Sequence, residues 1–314
     1  MTNVMDGRPG APRGKLCVVA TPLGNAGDLS PRAKAALAAA DVILAEDTRS
    51  ARRLLAESGI ASAAGAGPQV LSCFDANEAD RSQEAVAWIQ EGRVVALVSE
   101  AGTPLVSDPG YRVVAAVASA GLRVEPIPGP SAVLAALVAS GLSPDRFTFL
   151  GFPPRKSGPR RRLFESVRAH PFTIVLYESP LRAADTLADL AEVLGPTRRA
   201  CVARELTKIH EEVVRDTLAG LAAKYREGRP LGEVTLVVEG APEGGDAMGA
   251  HGPADDETVA AAAAVRLDAG ASARDVATEL AARFGRPRRE VYAVVTEVVE
   301  SRTNTQAGTD SDRD

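Results

Sequence analysis

Aromatic side chains are scarce in this sequence: they make up 4% of its 314 residues, with a single tryptophan. A broad stacking platform for single-stranded nucleic acid is therefore not expected, and the core has to be built from Ala, Val and Leu. Cysteine is rarer still. Cys17, Cys73 and Cys201 are odd in number and far apart, which fits neither a disulfide framework nor zinc-ligand spacing. His170, His210 and His251 are equally scattered, so no metal site is expected. No apolar run approaches the ~20 residues of a membrane span. Arg8 and Arg13 are followed by no apolar stretch, so the first residues do not read as a signal peptide, and the expected compartment is a reducing cytoplasm. Two nucleotide motifs are also missing. One is the phosphate loop GxxxxGK followed by Ser or Thr, and the other is a GxGxxG opening a βαβ unit. Their absence argues against a nucleotide-dependent kinase or dehydrogenase.

What is present is enough apolar material, 45% of residues, for a sizeable core, and enough length for about two domains. The net charge of −5 excludes a general polyanion binder. Any contact with nucleic acid must come from local basic patches.

The stretch that organises the chain is VVALVSEAGTPLVSDPG, Val94 to Gly110. Val94 to Val98 is a β-branched apolar run that reads as a buried strand. It ends at Ser99-Glu100 and leads into a loop with Gly102, Thr103, Pro104, Ser107 and Asp108. Asp108-Pro109 has the signature of a helix start, with Asp as N-cap and Pro in the first turn, predicting a helix over Pro109 to Ala120. Taken alone, the loop is either an ordinary βα turn or a ligand-binding corner at the C-terminal end of a strand. Two more such corners flank it. Leu16 to Ala20 is a strand running into Thr21-Pro22-Leu23-Gly24-Asn25. Arg123 to Ile127 is a strand running into Pro128-Gly129-Pro130-Ser131-Ala132, where small residues and a helix N-terminus let a ligand approach the backbone. Between them, Val42 to Ala45 runs into Glu46-Asp47-Thr48-Arg49, either a polar cluster at a site edge or an N-capped helix. Alternating strands and helices over this half predict a largely parallel, doubly wound sheet.

After a strand over Phe147 to Phe152, Pro153-Pro154 suggests a domain junction. RKSGPRRR follows, with Arg155, Lys156, Arg160, Arg161 and Arg162 and no acid, either an anion site or a solvated face. The α/β pattern resumes with a strand over Phe172 to Tyr177, a helix over Leu181 to Leu194, and a strand over Arg199 to Ala203. That strand ends in Arg204-Glu205-Leu206-Thr207-Lys208. A helix over Asp216 to Glu227 and a strand over Leu231 to Glu239 complete this half. Three amphipathic helices, Glu257 to Asp268, Ala273 to Phe284 and Arg288 to Glu300, then read as a helix-turn-helix or as a plain three-helix module. Arg283, Arg286, Arg288 and Arg289 cluster at its second turn. The expected divisions are a disordered 1–14, an α/β domain over 15–152, a second over 153–240, a linker over 241–255, a helical domain over 256–300 and a disordered tail over 301–314.

The motifs VATPLGN, AEDTR, VSEAGTPLVSDPG, IPGPSA, GFPPRK, LYESP and ARELTK, in that order between Lys15 and Gly240, resemble the tetrapyrrole-methylase superfamily. They are most similar to its branch acting on small-subunit ribosomal RNA. The resemblance implies two α/β domains with a cofactor cleft between them, a small C-terminal helical domain and a homodimer. It implies S-adenosylmethionine as cofactor and a direct in-line transfer of methyl to the 2′-hydroxyl of a cytidine in 16S rRNA. Carried over by motif, cofactor contacts fall on Leu23, Thr103, Val106, Ser131, Ala132, Tyr177, Gly232 and Glu233. Some relatives read GDP in the central loop, and here Thr103 puts a hydroxyl where they carry a carboxylate.

A ribose hydroxyl is a weak nucleophile, so a proton acceptor helps. Glu100, Glu46, Asp47 and Glu205 are the candidates, with Glu100 expected nearest the transferred methyl. Arg49, Arg204 and Lys208 are expected to orient phosphates or hold those acids ionised. RNA binding is expected from Arg155, Lys156, Arg160, Arg161, Arg162, Arg286, Arg288 and Arg289. Two rivals remain. A tetrapyrrole C-methyltransferase would need no basic patch. A non-enzymatic helix-turn-helix binder would bind no cofactor.

Overall fold

The computed structural model describes residues 14–60, 67–228, 232–242, 256–268, 271–284 and 286–309, with the side chains of 257, 268, 282, 283 and 301–309 left aside. The expected disordered N-terminus and the 241–255 linker lie almost wholly outside these residues, as does the side chain of Arg283. The described contacts form two compact units, the first reaching to Glu165 and taking up again over Thr173–Glu239.

The first unit contains two sheets. One has β1 (Lys15–Val19), β2 (Val42–Ala45), β3 (Gln69–Ser72), β4 (Val94–Val98) and β5 (Val124–Ile127) in the order β3-β2-β4-β1-β5, every pair parallel. Successive side chains of a strand face opposite sides. Cys17 and Val19, Ile43 and Ala45, and Ala96 and Val98 therefore meet Ala33 and Leu37 of α1 (Pro31–Ala38) and Ala51 and Leu55 of α2 (Thr48–Glu57). Leu16, Val42, Leu44, Val95 and Leu97 meet Ala85 and Ile89 of α3 (Glu78–Gln90) and Val113 and Val117 of α4 (Tyr111–Ser119). This is the doubly wound parallel sheet that the alternation predicts, and its corners gather at one edge because parallel strands end together.

α5 (Ala132–Ser140) leaves the third corner and turns away from the first sheet. Its Val133, Ala136 and Leu137 pack on Val175, Cys201, Ala203 and Val237 of the second sheet. That sheet holds β6 (Phe147–Phe149), β7 (Thr173–Glu178), β8 (Arg199–Arg204), β9 (Glu212–Thr217) and β10 (Val234–Val238), in the order β6-β7-β10-β8-β9. Only β6 and β7 pair in parallel; the other pairs are antiparallel. α7 (Ala183–Leu194) packs on α8 (Leu218–Glu227), which covers β8 and β9.

Several elements differ from expectation. The strand expected over Phe147 to Phe152 stops at Phe149. The basic run is the start of a helix, α6 (Ser157–Ser166), with Pro159 inside the first turn, where a missing N–H costs nothing. The helix expected from Asp216 begins at Leu218, capped by the Thr217 hydroxyl on Gly220 N–H at 3.2 Å, and β9 precedes it.

The second unit holds α9 (Asp256–Asp268), α10 (Ala273–Phe284) and α11 (Arg288–Thr309) around Val259, Ala263, Val276, Leu280, Val291 and Val295. Ser272 caps α10, accepting from Asp275 N–H at 3.2 Å and donating to its carboxylate at 2.7 Å. α11 continues through Thr309, past the expected boundary at Glu300. No described helix is long and apolar enough to cross a membrane.

Candidate active site

The corners after β1, β4 and β5 are tied to one another through their backbones. Thr21 and Gly102 form a two-way bridge, N–H to carbonyl at 2.8 and 3.0 Å, and the Thr21 hydroxyl donates to Ser99 O at 3.3 Å. The Thr103 hydroxyl donates to Pro130 O at 3.0 Å, joining the second corner to the third. Gly102 sits at φ 79°, and a Cβ there would lie 3.1 Å from Leu23 Cδ2, so the bridge requires glycine. Leu105 and Ser107 take φ of 73° and 68°, a left-handed conformation that costs non-glycine residues of order 1–3 kcal/mol each and concentrates at functional loops.

Asp108 is not the N-cap of α4. Pro109 lies in a bend, Gly110 takes φ 121° at the N-cap position, and α4 starts at Tyr111. The cap comes from a distant helix. Buried Glu78, in the first turn of α3, accepts the N–H of Gly110 and of Arg112, each at 2.8 Å, through one carboxylate oxygen. Asp108 is thereby released from capping, and its half-buried carboxyl hydrogen-bonds Ser99. Burial pushes that carboxyl up to about 6, with Glu46, Glu100 and Glu233 adding to the rise and the Ser99 bond opposing it. Glu46 is also raised, by burial and then by Glu100, Asp75 and Asp47. The Tyr177 phenol is raised to about 12 by burial and by the charge of Asp108.

The facing wall belongs to the second sheet. Lys208 Nζ reaches Glu205 at 2.9 Å and Glu233 at 3.2 Å, while its stem lies against Gly24 of the first corner. Glu205 N–H donates to Glu233 O at 3.0 Å, and Glu233 N–H returns to the Glu205 carboxylate at 3.1 Å. A Cβ at Gly232, φ 78°, would collide with that carboxylate. Val106 packs with Tyr177 and Val133 in the core beneath α5. Ser131 caps α5, and Ala132 is its first residue.

Leu23, Thr103, Val106, Ser131 and Ala132 thus lie on the three corners, and Tyr177, Gly232 and Glu233 lie on or next to strands of the second sheet. The acids divide. Glu100 is exposed and accepts from the Ser50 hydroxyl at 3.1 Å. Asp47 is committed to capping α2: its carboxylate accepts Arg49 N–H at 2.6 Å and Ser50 N–H at 3.3 Å, which holds it below the usual range. Glu205 is held low by Lys208.

Several basic residues have structural partners instead of a free face. Arg160 is buried, with its guanidinium 2.6 Å from Asp189, and Arg161 pairs with Asp189 at 2.8 Å and Glu192 at 2.5 Å. Arg204 pairs with Glu212 at 2.6 Å. Arg286 is only 14% exposed and lies 2.7 Å from Asp256 and 3.4 Å from Glu290, closing the helical unit on itself. Arg49, Arg155, Lys156, Arg162, Arg288 and Arg289 are exposed. No group of three or more described His, Cys, Asp or Glu residues could hold a metal. Sequence reasoning missed Asp108 and Glu78. The Pro-Gly dipeptide after Asp108, a turn signal, could have moved the helix start. Nothing local marks Glu78, whose partners lie 32 and 34 residues away.

Comparisons with known proteins bear on the family and the fold. A curated relative from Synechocystis sp., "Ribosomal RNA small subunit methyltransferase I", is 48% identical over 228 residues, 73% of this chain and 80% of that protein. Another of the same name, from Micromonospora olivasterospora, is 40% identical over 283 residues, 90% of this chain and 86% of its own length. The solved structure of a cobalt precorrin-4 methyltransferase, a cobalamin biosynthetic enzyme, shares the fold at TM-score 0.54 and 20% identity, covering 74% of this chain and 98% of that one. Residues 15–222 match the model of the tetrapyrrole (corrin/porphyrin) methylases. With the corners, both sheets and that match in agreement, the chain belongs to the tetrapyrrole (corrin/porphyrin) methylase family.

Proposed function

We propose that this protein methylates the 2′-hydroxyl of a cytidine in small-subunit ribosomal RNA, using S-adenosylmethionine, and that it works as a cytoplasmic homodimer. The observation that carries the reading is the junction of three corners, Thr21 to Gly102 and Thr103 to Pro130, lined by acids. The names of the relatives supply the substrate class.

The donor set fits the cofactor by charge. Glu46, Glu100 and Glu233 lie close enough to Asp108 for their charges to raise its carboxyl, and Lys208 is held by Glu205 and Glu233. A ligand that is cationic at both its sulfonium and its ammonium relieves that repulsion. Leu23 and Val106 offer apolar surface, and Thr103, Ser131, Ala132, Tyr177, Gly232 and Glu233 offer hydroxyl and backbone contacts. When bound, S-adenosylmethionine supplies an electrophilic methyl on sulfur.

The chain's own residues have two tasks. The first is alignment, which the cross-linked corners serve by fixing the backbone before substrate arrives. The second is removal of the hydroxyl proton. Asp47 and Glu205 are occupied by capping and by Lys208. Glu100 is exposed and suited to placing the ribose, and Glu46 tunes its neighbours. Asp108, poised near neutrality, is the proton acceptor in this reading. Arg49, Arg155, Lys156 and Arg162 take phosphates, with Arg288 and Arg289 in the helical unit adding to them. Leu134 and Val138, one turn apart on α5 and 52% and 76% exposed, are the face we assign to the second copy.

The test is methyl transfer to small subunits purified from cells lacking the modification, with the site mapped by reverse-transcription stops at limiting nucleotide, alongside calorimetry with S-adenosylmethionine. Cofactor binding with a new stop at one cytidine is expected. No binding, or methylation of a tetrapyrrole instead, overturns the reading.

A further inference from the structure

We propose that the exposed ring of Phe152 is a stacking face for a base of the RNA substrate, beside the ribose that is methylated. This rests on the RNA methylation proposed above and adds a residue to it.

Phe152 is 56% exposed in a chain with only seven phenylalanines. Its ring is backed and not loose. It lies 5.4 Å from Tyr177, tilted by 53°, and Tyr177 lies 5.0 Å from Phe149 in an edge-on contact at 73°. The inner two rings pack into the core with Val106 and Val133, so the outer ring stands on a fixed base. The backbone is fixed as well. Gly151 turns at φ 64°, its carbonyl accepts Tyr177 N–H at 3.0 Å, and Pro153 is buried. The same turn lies against the central loop, with the Cβ position of Gly151 3.5 Å from Ser107 Oγ. A flat apolar face therefore stands next to the loop that carries Asp108.

Charge complementarity names the occupant. Arg155 and Lys156 follow within four residues and are exposed, as is Arg162 on α6. The clamp of Arg160 on Asp189 holds α6, and these cations with it, in place. A rigid ring flanked by cations is the pattern by which unstacked bases are held, the ring taking the base and the cations its phosphates. Specific recognition of RNA falls mostly on loops and bulges whose bases are splayed out, and a replacement stack offsets the stacking they lose. General scarcity of aromatics excludes a long platform, not a single one-base contact.

The experiment uses the full-length protein and an RNA stem-loop bearing the modified position of the small subunit. Phe152→Ala should weaken RNA binding by about 5- to 100-fold, the range for loss of one stacked base. S-adenosylmethionine affinity should stay within about twofold, because Tyr177 keeps its packing on Phe149, Val106 and Val133 when the outer ring is removed. Phe152→Trp should restore binding. In a Trp88→Phe background, its emission should change on adding the stem-loop. Wild-type RNA affinity in Phe152→Ala, or an unresponsive tryptophan in Phe152→Trp, overturns the proposal. So does a shift of Phe152→Ala to a smaller species in sizing, which would show that a second copy covers the ring. A wild-type protein that binds cofactor but methylates no subunit would instead sink the activity, and the fluorescence reads the stack separately from turnover.

Discussion

One oxygen of the Glu78 carboxylate accepts the N–H groups of both Gly110 and Arg112, each at 2.8 Å, so α3 caps the start of α4. The consequence reaches the site. The last residues of the central loop are held from outside, and Asp108, two residues before Gly110, has no capping duty. Glu78→Ala would leave the buried Gly110 N–H and the part-buried Arg112 N–H unpaired, the buried one costing about 1–3 kcal/mol and the other less. We expect a stability loss of about 2–4 kcal/mol in urea melts, and a weaker S-adenosylmethionine complex under conditions where the variant is still folded. Glu78→Gln keeps an acceptor oxygen and should recover most of both. Equal cofactor affinity for folded Glu78→Ala and wild type would show that the cap does not control the loop.

Asp108, as the proposed proton acceptor, should tie activity to pH. Glu46, Glu100 and Glu233 face it with negative charge and Tyr177 with a neutral phenol, and its carboxyl is raised to about 6. As proton acceptor it must be ionised, so kcat/KM should rise through about pH 6 and level off above. Saturation with a cationic cofactor favours the ionised form and should move the midpoint of kcat lower. Asp108→Asn should lower turnover at pH 7.5 by about 100-fold or more, the usual size of a general-base contribution, and abolish the acidic limb.

The same shift has a stability consequence of opposite sign. A carboxyl whose folded value lies above its unfolded value stabilises the fold below the unfolded value, and that contribution is lost as pH rises through about 6. At pH 7.5 the folded protein therefore carries a penalty, at most about 3 kcal/mol and less after solvent screening. Asp108→Asn removes it. The variant should be more stable than wild type at pH 7.5 and match it near pH 4, as read by thermal melts at both values. A variant less stable at pH 7.5 would show that the ionised carboxylate is a structural partner.

How much of this could be read from the residues depends on how far apart the partners are. Strands β1, β2 and β4 are legible because Val, Ile and Leu runs end at glycine and polar corners. The cap at Ser272 is legible because it acts within three residues, a span shared by the caps at Ser30 and Ser131. β9 was hidden because an edge strand reading EVVRDT carries charge on its exposed face, and its last two residues pass for the start of a helix. α6 was hidden because Gly158 and Pro159 look like a loop. Asp189, 29 residues beyond Arg160, and Glu78, 32 residues before Gly110, are side chains whose partners the fold alone brings near. Of the site, the corners were readable from local chemistry. The division of the acids into capping, paired and poised groups was not, since it follows from contacts across the chain.

The run RKSGPRRR divides in the same way, and this separates two phenotypes. Burial pushes the Asp189 carboxyl up, but Arg161, Arg160 and Ser157 outweigh it and hold it below the ordinary range. Arg160→Ala removes the buried half of that cluster and leaves a charge with fewer partners, a change that costs about 3–5 kcal/mol when a buried pair is broken. Because Arg161 and Ser157 still touch Asp189, the lower end is expected, read as an earlier urea midpoint with an unaltered slope. The exposed members should do the reverse. The triple change of Arg155, Lys156 and Arg162 to alanine should alter stability by about 0.5 kcal/mol or less per site. It should weaken binding to the rRNA stem-loop and flatten the dependence of log affinity on log salt by about 0.7 for each phosphate that is no longer neutralised. S-adenosylmethionine affinity should not move. An unchanged salt slope in the triple variant would remove these cations from the RNA surface, whatever its effect on turnover.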